Sequence, residues 1–221
     1  MNRLAIISLK YLEPYYENTL KCLQEIPYPI LFADRDGVGN MSRAFNEAFN
    51  LLPFIDASSK CGSDKIILSK YVWFITNVTF TPDVPEKLMQ VLDSDPNIAA
   101  VHPAMATSDH RHLWPGETRD VPFIEFAAPM FRAADFARFM LDENTPYYYM
   151  DLIISHQLKQ EGKRLVCVGD AEVQHTYLRN ERKQHPITNI RKQLRDYHTP
   201  ISKRYMEQTF GADWQTKLWP K

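Results

Sequence analysis

The sequence predicts an α/β fold with a mostly parallel sheet flanked by helices, and three observations carry that prediction. Short apolar runs rich in β-branched residues alternate with segments of helical periodicity, as they do when parallel strands are covered on both faces. The chain has 221 residues, the length of one domain with an extension. Hydrophobic residues make up 44% and aromatic residues 12%, enough for a core and too many for a disordered chain.

Arg3–Leu9 is an Ile-rich run and reads as the first buried strand. Glu13–Ile26 follows with Leu20, Leu23 and Ile26 at helical spacing, and Pro27 and Pro29 stop it. Pro29–Ala33 is the second strand, ended by the turn cluster Asp34-Arg35-Asp36-Gly37. Met41–Leu52 sets Ala44, Phe45, Ala48, Phe49 and Leu52 on one helical face. Lys65–Leu68 reads equally as a short edge strand or a helix end, and Tyr71–Ile75 as a buried strand. Pro82–Pro85 opens a helix through Leu92, and Ile98–His102 is the next strand. Residues 103–120, with His110, His112 and Trp114, lack periodicity and read as a solvated surface loop. Phe123–Phe131 and Leu165–Val168 complete the strands, Ala133–Met140 and Asp151–Gln160 the helices, and beyond Tyr177 the pattern is basic and mostly helical.

The net charge of −1 conceals an asymmetry. Residues 179–204 hold eight Lys or Arg against Glu181 and Asp196, so an acidic body carries a basic tail that calls for an anion or a solvated helix face. The 3 Cys are scattered with no Cys-x-x-Cys pair, which points away from a disulfide frame or zinc site and towards a reduced, cytoplasmic setting. No apolar run reaches the ~18 residues of a membrane span, and the first residues lack a signal-peptide pattern. Gly-x-Gly-x-x-Gly, Gly-x-x-x-x-Gly-Lys-Ser/Thr and Gly-x-Ser-x-Gly are absent, which argues against dinucleotide folds, P-loop nucleotidases and α/β-hydrolases. In open α/β sheets ligands bind beyond the carboxyl ends of the strands, so Ser8, Lys10, Asp34, Asp36, Thr76, Asn77 and His175 are the residues to inspect.

An ordered series of segments resembles the family 2-like glycosyltransferases with the GT-A fold. Leu4–Ser8 is similar to the family's opening strand, and Ile30-Leu31-Phe32-Ala33-Asp34 to its second. Gly39–Phe49 resembles its Gly-x-x-x-Arg-x-x-Asn helix start, through Arg43 and Asn46. Tyr71–Asp83 resembles the strand that bears the metal-binding Asp-x-Asp, although Ile75-Thr76-Asn77 stands where those carboxylates belong. Asp95–Pro103 and Pro129–Arg132 are similar to later strands, and Tyr148–Leu152 sits where the family has Glu-Asp, with Met150 in place of the Glu. Glu161–Leu165 and Ala171–His175 follow at family spacing, so the resemblance covers roughly residues 3–177.

The resemblance implies a GT-A domain over residues 1–178 and a basic extension, 179–221, packed on or over the active site. It implies a nucleotide-sugar donor (UDP-, GDP- or dTDP-linked) and an acceptor that is a glycan or, as an alternative, a hydroxylated base in DNA. A non-catalytic sugar-nucleotide-binding relative is the other alternative. Asp151, flanked by Tyr147–Met150, is then the base for the acceptor hydroxyl or, on the plainer reading, a helix N-cap. Ser8, Asp34, Asp36, Arg43, Asn46, Thr76, Asn77 and His175 are expected around the donor. Asn77 and His175 are the candidate ligands for Mn2+ or Mg2+, for which an Asn carbonyl is a poor substitute for a carboxylate. Arg179, Arg182 and Lys183 lie close enough after His175 to meet the diphosphate charge in a metal's place.

Overall fold

The computed structural model describes residues 3–10, 16–34, 39–52, 54–56, 65–67, 69–175 and 186–218. The elements are β1 (Leu4–Lys10), α1 (Tyr16–Gln24), β2 (Ile30–Asp34), α2 (Met41–Asn50), β3 (Phe54–Asp56), β4 (Lys65–Ile67), β5 (Tyr71–Ile75) and β6 (Val78–Phe80). They continue with α3 (Val84–Ser94), β7 (Ile98–Ala104), β8 (Arg119–Asp120), β9 (Met130–Arg132), α4 (Ala133–Phe139), α5 (Met150–Gln160), β10 (Arg164–His175), α6 (Pro186–Phe210) and α7 (Trp214–Leu218). The main sheet runs β2-β1-β5-β9-β7-β10-β6, with β8 also on β10, while β3 and β4 pair separately. β1, β2, β5, β7 and β10 point one way and β6, β8 and β9 oppose them, so the sheet is mostly parallel.

The central strands show no polar alternation because helices cover both faces. Ala5, Ile7 and Leu9 of β1 with Val72 and Phe74 of β5 face a cluster built with Phe45 and Phe49 of α2, Phe136 of α4 and Ile154 of α5. Leu4, Ile6, Tyr71, Trp73 and Ile75 face the other side, against Leu23 of α1 and Leu88, Met89 and Leu92 of α3. A third cluster joins Phe123 and the α5 residues Leu152 and Ile153 to Met206, Trp214 and Leu218, so the C-terminal helices dock directly behind α5.

Two expectations are corrected. Phe123–Phe131 is not one strand: only Met130–Arg132 forms ladder pairs. Pro122 and Pro129 have no N–H to give, and the carbonyls of Ala127 and Pro129 instead accept from Thr76 N (2.9 Å) and Phe74 N (3.0 Å). Nor is 103–120 solvated throughout: residues 114–118 are exposed, whereas Met105, Ser108 and Leu113 are buried. The rings of His110 and His112 stack at 5.6 Å and meet Phe123 edge-on at 4.9 and 4.5 Å. Trp114 Nε1 donates to Ser108 O (3.0 Å), and Gly116 N to Gly169 O (3.3 Å). The approach at Gly169 is so close that a Cβ there would lie 1.8 Å from the Gly116 oxygen.

Candidate active site

Just past the carboxyl end of β5 a cleft of ≈140 Å³ opens, with Thr76, Glu125, Asp151 and His175 on its walls and Tyr147, Tyr148 and Tyr149 beside them. Met41, Phe126, Ala127 and Met150 supply its apolar surface. Thr76 is held by donating its Oγ1 to Ala127 O (3.1 Å). His175 closes β10 in antiparallel register with Val78, which sets it beside the Thr76–Asn77 turn. The structure therefore brings together Thr76, Asp151 and His175 from distant parts of the chain.

Asp151 lies in the first turn of α5, but it is not the N-cap. That place is taken by Tyr149, whose φ of 75° is left-handed, a conformation a bulky aromatic residue adopts only under constraint. The Tyr149 ring packs on Trp214 at 4.9 Å, so α7 helps to hold it. Asp151 Oδ1 accepts from Leu152 N (2.9 Å). The carboxyl is deep in the protein yet reaches solvent through the cleft, and its burial pushes the pKa from 3.8 up to about 6 against the pull of the Leu152 and Asp151 amides.

Glu125 is the functional candidate that the motif pattern does not supply. Burial pushes its carboxyl up to about 7; the Ser108 hydroxyl pulls it down, and the negative charges of Asp151 and Asp109 add to the rise. Two carboxyls with lifted values thus share one small cleft. The signal in the sequence is the lone acid within Phe123–Phe131: an ionisable group in an otherwise apolar buried run must be paired, neutral or functional.

The other expected residues stand elsewhere. Ser8 is wholly buried, its Oγ bonded to Tyr16 Oη (2.9 Å). Arg43 pairs through Nε with Glu143 (2.8 Å). Asn46 acts as a backbone mimic, donating to Leu141 O (2.8 Å) and accepting from Leu141 N (3.0 Å). These three side chains do not line the cleft. Asn77 is buried and does not line the cleft. Asp34 ends β2 in register with Lys10 and is described in its backbone alone, whereas Asp36, Arg179, Arg182 and Lys183 lie outside the described residues.

A GT-A fold implies a divalent cation, and the donor set here does not fit one. Among the described residues no three His, Cys, Asp or Glu converge as ligands. Asn77 and His175 alone offer neutral donors where Mn2+ or Mg2+ takes anionic oxygens.

No known protein family matches the sequence, and no curated protein is similar to it. Among solved structures, GalNAc-T7 with UDP, GalNAc and Mn2+ superposes with a TM-score of 0.53 at 10% identity, covering 99% of this chain and 58% of that one. The fold is GT-A-like. The chain spans little more than half of that structure, and at this identity the likeness carries the fold alone. Among the described residues no helix is long and apolar enough to cross a membrane.

Proposed function

We propose that this protein transfers a sugar from a nucleotide-diphosphate donor to an acceptor hydroxyl, with Asp151 as the base. The observation that carries the reading is the Asp151 carboxyl, set in the cleft at the end of β5 and lifted to about 6. A carboxylate so poised is mostly ionised at neutral pH yet basic enough to take a proton in the transition state. The acceptor oxygen bonds to the anomeric carbon and its proton passes to Asp151. The bond from that carbon to the diphosphate breaks, and the electron pair leaves on the nucleoside diphosphate.

In this scheme Asp34 and Asp36 read the nucleobase, while Thr76 and Asn77 hydrogen-bond the donor. His175, with Arg179, Arg182 and Lys183, meets the developing phosphate charge, which Arg and Lys forks do well. The extension 179–221 then belongs to the working enzyme as a cover on the domain formed by residues 1–178. No step is routed through a metal. The test is a thermal-shift and hydrolysis screen over UDP-, GDP- and dTDP-sugars. A productive donor raises the melting temperature and is slowly hydrolysed, and Asp151→Asn still binds it without turnover. A screen in which no donor binds or is hydrolysed, or an Asp151→Asn enzyme with full turnover, sinks the reading.

A further inference from the structure

Glu125 sits in a segment whose neighbours Phe123, Ile124, Phe126, Ala127 and Ala128 are all buried. An acid placed there costs stability unless something uses it. One of its oxygens is anchored: Oε2 accepts from Ser108 Oγ (2.8 Å), and Ser108 Oγ is itself oriented by accepting from His110 N (3.0 Å). The other, Oε1, takes no hydrogen bond among the described residues, and Glu125 lines the cleft. A carboxyl with one oxygen fixed by the scaffold, on a residue that lines a cavity, is arranged for a ligand.

The cavity limits what that ligand can be. At ≈140 Å³ it is smaller than the roughly 300–1,000 Å³ of pockets that enclose a drug-sized molecule, and suits a single sugar ring. The Asp151 carboxylate lining the same cleft disfavours a phosphate deep within it. Tyr147, Tyr148 and Tyr149 offer aromatic surface for the C–H face of a ring, and Glu125 a hydrogen-bonding group for its hydroxyls. The geometry points to Glu125, anchored by Ser108, as the residue that reads a hydroxyl of the sugar ring seated against Tyr147–Tyr149. This inference rests on the glycosyl-transfer reading and adds the residue that sets sugar specificity.

The charge environment says in which form Glu125 works. Asp151 from α5 and Asp109 from the segment after β7 face it with negative charge, His175 of β10 lines the same cleft, and His102 of β7 contacts its backbone. A sugar that displaces water from the cleft disfavours a second anion beside Asp151 still further. Glu125 therefore meets the ring as the carboxylic acid, its O–H donating to a sugar oxygen, and the interaction weakens as pH rises past about 7.

The experiment measures, by calorimetry and ligand-observed NMR, binding of UDP-, GDP- and dTDP-hexoses, the bare nucleotides and the free hexoses. Wild type is compared with Glu125→Gln and Glu125→Ala, each checked for folding by thermal unfolding. Gln keeps an N–H donor, so affinity for the sugar-bearing ligand stays within about threefold of wild type at pH 6.5, whereas Ala loses roughly tenfold, the worth of one such bond. From pH 6.5 to 8.5 wild type weakens by up to about 25-fold, the fall in the protonated fraction of a group titrating at about 7, and the Gln variant stays flat. A loss for the nucleotide sugar but not the bare nucleotide places the ring on the donor; a loss confined to the free hexose places it on the acceptor. Either supports the inference. Equal affinities across all three proteins, or the same pH profile for wild type and Gln, overturn it while leaving glycosyl transfer standing. Wild type that binds none of the probes overturns both.

Discussion

Replacing Asp151 with Asn separates two consequences of burying a base. In the folded protein its pKa stands at about 6 against an ordinary 3.8, which corresponds to about 3 kcal/mol held against the ionised form at neutral pH. The Asn amide carries no such charge but must find partners for its N–H groups in the same cleft, so the net gain is about 1–3 kcal/mol. For a domain of this size that is roughly 3–10 °C in melting temperature. The sign follows from the order of the two values. Below about pH 4 folded and unfolded chains both hold the proton and the carboxyl costs nothing. Between about pH 4 and 6 the unfolded chain gives up its proton first, and wild type loses stability relative to the variant; above about 6 the gap is constant. Scanning calorimetry of both proteins from pH 4.5 to 8 measures this directly, alongside the loss of turnover. An Asn variant no more stable than wild type at pH 7.5, or a gap that does not change with pH, would refute the reasoning, because the Asp151 carboxylate would then be as well solvated folded as unfolded.

Four other substitutions or treatments test the description. Gly169→Ala drives a Cβ into the Gly116 backbone and destabilises the fold by about 2 kcal/mol or more in urea unfolding, since backbone on both sides must shift. Asn46→Ala leaves both backbone groups of Leu141 unpaired and costs about 2–4 kcal/mol; donor affinity of the folded fraction, by calorimetry, is unchanged. Trp214→Ala removes the brace on Tyr149 and costs about 3–5 kcal/mol, with turnover of the folded protein falling as well. Turnover measured with EDTA and with added Mn2+ differs by less than about twofold, because among the described residues no three His, Cys, Asp or Glu converge to hold a hard cation; strict metal dependence would overturn that assignment.

The alternation from β1 to α3 was legible because strands covered on both faces leave uninterrupted apolar runs between helical periods. The middle of the sheet was not. Phe123–Phe131 is as apolar as a strand, but its carbonyls serve Phe74 and Thr76 of the β5 edge, a tertiary use no periodicity shows. Within the site, Asp151 stood out by its place before a helix and among tyrosines, and β6–β10 pairing delivers His175 to it. Arg43 and Asn46 show what spacing leaves open: it puts them on one helix face but does not say that the face bonds to the turn at Leu141–Glu143, as it does in the structure. Glu125 carried a readable signal, a single acid in an apolar run, whose meaning depends on Ser108, seventeen positions away.

The three-residue strand β9 has a consequence for how the molecule comes together. It lies between β5 and β7, so the half-sheet β2-β1-β5 and the half-sheet β7-β10-β6 have no ladder between them until Met130–Arg132 is in place. The residues just ahead of that strand carry Glu125 into the cleft and lend their carbonyls to Phe74 and Thr76. The same short segment thus joins the two half-sheets and shapes the cleft, through pairings between stretches far apart in the chain, the kind of contact that is slow to form.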